Sequence, residues 1–539
     1  MTRTGLIANR WRTGMLVALG LFLLTRILTL TAFPIFNDEA IYLQYSQKIQ
    51  SDWEKNKFIS MNGEFTDWKP PLQYWMAAPF IGWGNDPLVA GRLVAFFVSI
   101  AGLFGTYLFS KELFTEREGI FAAFLYVLCP TVLFHNNQFT AETFLFSTAP
   151  LLYWAILKLM GPDKPDWIWA LVATLLGTAL LLLKQSGFLL LGISIFLPLA
   201  RLRSRPADAG VPREGMPSRQ LDGKRNWREF ARNVALVVTV IVACRLAANA
   251  LLPSEFNAAR EHFNGRWVMS LPELFDLPIA TWRANLALVA DYVGSFYSWT
   301  VVLLFCVFSW FALRAKDFAE LALVFMCAAG ATATIFLLRG FNEYLFNTAV
   351  IAALLPLLAR LAVLIGHSLG KEGSMRRVLL LCVGLTLAYW GYQDVLMGMS
   401  PVDYIERSSA WSVANYLKSW STGFGVSETV AMLEKERGPG IVFTDAQWGN
   451  PGTALEVYRA KRFPNLRIVP ISREFLDASE SRKLTDAAKK MEVTHLAIFS
   501  ADNSEPRQQW LGNVEREMCE TRVEIRAHRD QTPIIVCRF

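Results

Sequence analysis

Apolar runs long enough to cross a bilayer recur along most of this 539-residue chain, a pattern that no soluble domain tolerates. A run of ~20 apolar residues crosses the hydrocarbon core as a helix, because lipid offers no partner for an exposed backbone N–H or C=O. Eleven spans are predicted, at about 12–32, 87–109, 118–135, 142–159, 167–183, 187–200, 232–252, 288–313, 318–338, 345–365 and 377–396, the sixth being short. Composition agrees: 53% of the residues are hydrophobic and the mean hydropathy is +0.30, too apolar for two or three soluble domains.

Basic residues orient the spans, since Lys and Arg collect in short loops on the cytoplasmic side. Arg3, Arg10 and Arg12 put the N-terminus inside. Alternate loops then carry Lys111 and Arg117, Lys164, Arg314 and Lys316, and Lys371, Arg376 and Arg377. The segment Arg201 to Arg232 holds nine Lys/Arg against four Asp/Glu, and its Pro, Gly and charge content marks 201–231 as a cytoplasmic loop. These basic loops alternate with spans, so no nucleic-acid partner is expected. Arg10 and Arg12 before an apolar run also suit a signal peptide, but no small-residue cleavage site follows, so the first span is read as retained.

Eleven spans divide the chain into a membrane domain, 1–396, with a first outer loop at 33–86, and an outer C-terminal domain, 397–539. The C-terminal part has soluble character: "GIVFTDA" and "THLAIFS" read as buried strands and "SRKLTDAAKKM" as an amphipathic helix, which makes a small α/β domain. Five of the seven Cys lie in or beside apolar spans; Cys519 and Cys537 flank a strand pair and can bond if the compartment is oxidising.

On this topology the charged residues within or next to the spans collect at the outer face. Asp38 and Glu39 follow span 1; Lys69 lies in "DWKPPLQYW"; Arg92 is early in span 2 and Glu142 opens span 4. Lys184 ends span 5, Arg245 sits late in span 7, and Arg339 and Glu343 fall in "LLRGFNEYL". Charges at membrane depth are costly unless paired or facing a polar cavity, so the set implies a cavity open to the outside. Each residue also has an ordinary explanation. Asn37 is a good N-cap, and Asp38 and Glu39 suit a first helical turn. Lys69, Lys184, Arg245 and Arg339 are placed to snorkel, and Glu343 is placed to pair with Arg339.

In order along the chain, "NDEAIYLQYSQKI", "KPPLQYW", "GRLVAFFVS", "FTAETFLF", "LLKQSG" and "FNEYLF" resemble the polytopic, lipid-carrier-dependent glycosyltransferases of the GT-C type. That group includes the protein O-mannosyltransferases and the bacterial transferase that adds aminoarabinose to lipid A. The similarity covers roughly 12–350 and departs at the second acidic position, often Asp in the family and Glu142 here. It implies an α-helical polytopic GT-C-like fold with a small α/β periplasmic domain, in a bacterial inner membrane. It also implies transfer of a sugar from a polyprenyl-phosphate donor to an acceptor hydroxyl on a lipid, glycan or protein.

Such a transfer needs a carboxylate to orient and deprotonate the acceptor and cations to stabilise the leaving phosphate. Asp38, with Glu39 or Glu142, meets the first need, and Lys69, Arg92, Lys184 and Arg339 meet the second. Tyr42, Glu343 and His262 are further candidates, and His135 is a second isolated outer histidine. A divalent metal is another means of neutralising phosphate, but no His/Cys cluster has metal-ligand spacing. Of the two neighbouring carboxylates, Glu39 is expected to tolerate amidation better. A transporter or flippase for a lipid-linked or anionic substrate would place its charges nearer the midplane, often with repeat symmetry, and a scaffold would leave the one-sided cluster unexplained.

Overall fold

The computed structural model describes residues 3–62, 68–161, 166–202, 223–256, 265–315, 317–367, 374–419, 421–436, 438–444, 449–471, 486, 488–499, 512–513, 516–526 and 533–539. It is mainly helical, with a small sheet near the C-terminus. Among the described residues, six helices are long and apolar enough to cross a membrane: Arg12–Thr29, Pro87–Leu113, Trp227–Leu251, Phe318–Phe336, Glu343–Gly366 and Arg376–Met399. Two bent pairs pass the same test when each is taken as one span, giving up to eight.

Those bends correct two of the continuous spans read from sequence. The run at 118–135 is two helices, Glu116–Leu128 and Pro130–Asn136, set 64° apart. Proline has no N–H and disfavours helical geometry in the residue before it, and Cys129 is accordingly extended (φ −71°, ψ 116°). The break deprives the Tyr126 carbonyl of its usual partner at position 130. Arg26, fully buried on the first helix, supplies the replacement: its guanidinium donates to Val127 O at 2.7 Å and Tyr126 O at 3.3 Å. The run at 288–313 is likewise broken, by 102° between Ile279–Tyr297 and Trp299–Ala315, with Ser298 in the left-handed region (φ +74°). The short sixth run is an α-helix, Gly187–Ile193, continued by the 3-10 turn Ser194–Arg201.

Small residues set the closest helix contacts, as expected where lipid removes the hydrophobic drive between helices. A Cβ on Gly102 would lie 2.8 Å from the Ser147 Cα, and one on Gly330 would lie 2.8 Å from the Ala349 carbonyl oxygen.

The sheet contains β1 (Gly440–Thr444), β2 (Leu466–Pro470), β3 (His495–Phe499), β4 (Thr521–Ile525) and β5 (Ile534–Arg538) in the order β2-β1-β3-β5-β4. The pairs β1–β2 and β1–β3 are parallel, with the Gly452–Arg462 helix crossing from β1 to β2; β5 runs antiparallel to β3 and β4. Both strands anticipated from sequence are present as β1 and β3, whereas most of "SRKLTDAAKKM" lies outside the described residues. Cys519 and Cys537 are disulfide-bonded, with Cα atoms 5.3 Å apart. The expected boundary at 397 follows the change in composition. The Ser374–Met399 helix runs through it, and Tyr404, Tyr416, Leu417, Val426 and Val430 share one buried core with the spans.

Candidate active site

The approach to the Asn37–Ser51 helix is fixed by one buried ion pair. Phe36 is extended (φ −76°, ψ 152°) and starts the helix, and its N–H is accepted by Glu39 Oε2 at 3.1 Å. Glu39 Oε1 accepts from Arg92 Nε (2.9 Å) and Phe139 N (2.7 Å), while Arg92 Nη2 reaches Glu39 Oε2 at 2.7 Å. Arg92 spends its remaining donors on the carbonyls of Leu30 (2.9 Å), Phe33 (2.8 Å) and Pro34 (3.1 Å). Both side chains are wholly buried and spend their hydrogen bonds on each other and on nearby backbone groups, which leaves neither facing a site where a donor or acceptor would sit. The N-cap is Phe36 rather than Asn37, whose own N–H donates to Ser421 O at 3.1 Å.

One position earlier on the same helix, Asp38 points elsewhere. It is about one-third exposed, and its Oδ2 accepts from the Tyr42 hydroxyl at 3.2 Å with Lys69 Nζ 3.5 Å away. Tyr42 is one turn along, which puts both on one helix face. Lys69 Nζ also donates to the Tyr42 oxygen at 2.8 Å, closing a triangle. Lys69 arrives there through a constrained loop. Trp68 is left-handed (φ +54°), a conformation costing a bulky residue ~1–3 kcal/mol and concentrated at functional sites. The Ser60 hydroxyl donates to Lys69 O at 2.7 Å, Gln185 Nε2 donates to Trp68 O at 3.4 Å, and Pro70-Pro71 leads into the Leu72–Ala77 helix. Burial alone would raise the Asp38 carboxyl; the charges of Lys69 and Lys184, with the Tyr42 hydrogen bond, outweigh it and hold Asp38 below its ordinary value.

Lys184 belongs to a second pair. It makes a close ion pair with Glu142, which is almost wholly buried at the start of the Ala141–Leu159 helix. Its Nζ also lies 5.5 Å from the centre of the Tyr344 ring. Tyr344 and Tyr416 share a hydroxyl hydrogen bond of 2.5 Å, and the His135 ring is 5.6 Å from Tyr344 and 5.1 Å from Phe146. Both His135 ring nitrogens are buried without a hydrogen-bond partner among the described residues.

Two sequence candidates go elsewhere. Arg339 is exposed and bonds Glu273 at 2.5 and 2.7 Å instead of Glu343. Glu343 is buried and accepts from Ser412 at 2.8 Å. His262 lies outside the described residues. Among the described residues no three His, Cys, Asp or Glu side chains gather, and lysines sit at the oxygens of Asp38 and Glu142. Tyr344 lies within "FNEYLF" but is not among the sequence candidates, and no local pattern marks Tyr416 or Ser412. They matter through contacts between distant segments.

The comparisons with known proteins bear on this geometry. The ArnT protein of Cupriavidus metallidurans bound to undecaprenyl phosphate matches with a TM-score of 0.55 at 14% identity, over 99% of this chain and 98% of that one. Its apo state matches with the same score and identity over 98% of each chain. The archaeal oligosaccharyltransferase AglB of Archaeoglobus fulgidus, in complex with an inhibitory peptide and a dolichol-phosphate, gives a TM-score of 0.47 at 11% identity over 89% of this chain and 69% of that chain. No curated protein matches the chain by sequence. The chain thus has the GT-C fold of ArnT along nearly its whole length, and its residues 68–208 match the family described as dolichyl-phosphate-mannose-protein mannosyltransferase.

Proposed function

We propose that the protein transfers a sugar from a polyprenyl-phosphate donor to an acceptor hydroxyl at the periplasmic face of a bacterial inner membrane. The single observation that carries this reading is the Asp38–Tyr42–Lys69 triangle, a carboxylate and a cation held together at one site beside the Glu142–Lys184 pair. The match of residues 68–208 to a mannosyltransferase family supports the same reaction class.

In the reaction the acceptor oxygen forms a bond to the anomeric carbon as the bond from that carbon to the phosphate oxygen breaks. The bonding pair leaves with the polyprenyl phosphate, and the acceptor proton is lost late, to the departing phosphate. Asp38 is ionised and already hydrogen-bonded, which suits an acceptor of a hydrogen bond better than a strong base. It orients the attacking hydroxyl. Lys69 and Lys184 stabilise charge growing on the phosphate, each drawn partly from its carboxylate as the donor enters. Glu39 and Arg92 take no part, since both are buried and bonded to each other and to the backbone.

Orientation rests on the Lys/Arg distribution, which supports a cytoplasmic N-terminus and a periplasmic sheet domain. Lys490 is exposed, so a Lys490→Cys thiol should be labelled by an impermeant maleimide in cells with a permeabilised outer membrane; protection there would reverse the topology.

The function is tested in a deletion strain. Mass spectrometry should find a sugar-linked polyprenyl phosphate that accumulates and an envelope component that loses the sugar. The wild-type gene should reverse both changes and Asp38→Asn neither. Unchanged carrier lipids and glycans would overturn the reading.

A further inference from the structure

Phe33 to Phe36 precede the Asp38 helix and Asn37 opens it, so most of their backbone groups need partners outside the helix. Arg92 takes the carbonyls of Phe33 and Pro34, and Glu39 takes the N–H of Phe36. Two further groups are satisfied by chain about four hundred residues later. The Asn37 N–H donates to Ser421 O at 3.1 Å. The Ile35 carbonyl accepts from Asn450 Nδ2 at 3.1 Å, and the same amide donates to Thr422 O at 3.0 Å.

Asn450 is buried, so its amide has no water to fall back on, and it ties two segments to each other. The approach is too close for a side chain: a Cβ on Gly423 would stand 2.0 Å from the Ile35 oxygen. The Phe36 ring lies 4.6 Å from Tyr416, whose hydroxyl meets Tyr344, the ring beneath Lys184. Tyr416 therefore links the residue before the Asp38 helix to the ring beneath Lys184. Away from this junction, Gln47 Nε2 donates to Val457 O at 3.0 Å and Lys461 Nζ to Gly82 O at 2.9 Å, so the docking does not depend on Asn450 alone.

We propose that Asn450 is a positioning residue for Asp38, and that the C-terminal domain completes the active site by holding Ile35 and the start of the Asn37–Ser51 helix in register with the membrane-embedded half. The inference rests on Asp38 being the acceptor-side group. A helix start released by ~1 Å loses attack geometry, an effect of about a hundredfold in turnover, while donor binding through Lys69 and Lys184 is retained.

The test uses the full-length protein with Asn450→Asp, which has the same shape but no N–H to donate. Three measurements are made: amide hydrogen exchange of the peptide covering residues 33–45, affinity for undecaprenyl phosphate in detergent micelles, and restoration of the sugar-modified envelope component in the deletion strain. Faster exchange at 33–45, phosphate affinity within about twofold of wild type and transfer reduced at least about tenfold are expected. Lys461→Met, at the same interface but away from Ile35, should leave exchange at 33–45 and transfer unchanged. Normal transfer by a folded Asn450→Asp protein, or exchange at 33–45 like that of wild type, would overturn the proposal. If that variant does not accumulate, Asn450→Ala removes the donor without adding charge and is read by the same measurements. The two readings fail differently: active Asp38→Asn overturns the assignment of Asp38 itself, whereas inactive Asp38→Asn with active Asn450→Asp overturns only the role of Asn450.

Discussion

Asp38 and Glu39 are adjacent carboxylates on one helix turn, and they face opposite environments: Glu39 is sealed against Arg92 at 2.7 Å, and Asp38 is open to Lys69 at 3.5 Å. Successive helical residues differ by ~100° in direction, so one turn supplies both an anchor and a reactive group.

Asp38→Asn keeps the shape and removes the charge. Its partners are a hydroxyl and a lysine at a half-open position, so the fold should survive. Transfer should fall by about 10² to 10⁴. Complementation of the deletion strain at matched protein levels checks this, and full activity would return the motif to a helix-start role.

Glu39→Gln is not the mild change that sequence suggests. It leaves the Arg92 guanidinium buried without its counter-charge, a loss of about 3–5 kcal/mol. Arg92→Met should be at least as damaging, because three backbone carbonyls lose their donor as well. Removing both charges should not restore stability, for the same reason. Thermal unfolding in detergent, followed by monodispersity, ranks the three variants. An Arg92→Met protein as stable as wild type would contradict the anchoring role.

The pH profile should report Asp38. Its carboxyl is held below the ordinary ~3.9, so the ionised form persists through neutral and mildly acidic pH and is lost only as pH falls through that lowered value. Lys69→Met removes one of the charges that lower it and leaves burial, which raises it, less opposed. The acid limb of transfer should therefore move to higher pH, together with weaker binding of undecaprenyl phosphate. An unmoved limb would show that another group controls the acid side.

The Cys519–Cys537 bond closes a loop across a sequence separation of 18 at the β5–β4 edge of the sheet. A loop of that size is worth about 3 kcal/mol in the chain-entropy account. Cys519→Ser should lower the melting temperature and leave transfer nearly unchanged, because that edge lies across the sheet from β1, which leads toward Asn450. Equal stability with and without reductant would indicate that the pair is not bonded in the cell.

Much of this molecule was legible in its sequence because the signals are local. Apolar length declares a span wherever it occurs, strand runs such as "GIVFT" became β1, and the acidic, K-P-P and "LLKQSG" motifs named Asp38, Lys69 and Lys184. Proline at 130 even marked where one span must bend, although hydropathy averaged over the window hid the break. Glu39 and Arg92 looked like reactive groups because charge near a membrane is equally consistent with a site and with a buried pair. Which it is depends on direction around the helix and on what lies opposite. Tertiary structure decided that, as it decided that Arg339 belongs to Glu273, that Tyr344 bonds Tyr416, and that Asn450 reaches Ile35. These contacts span from 66 to 415 residues of sequence, and their energy exists only once packing brings both ends together.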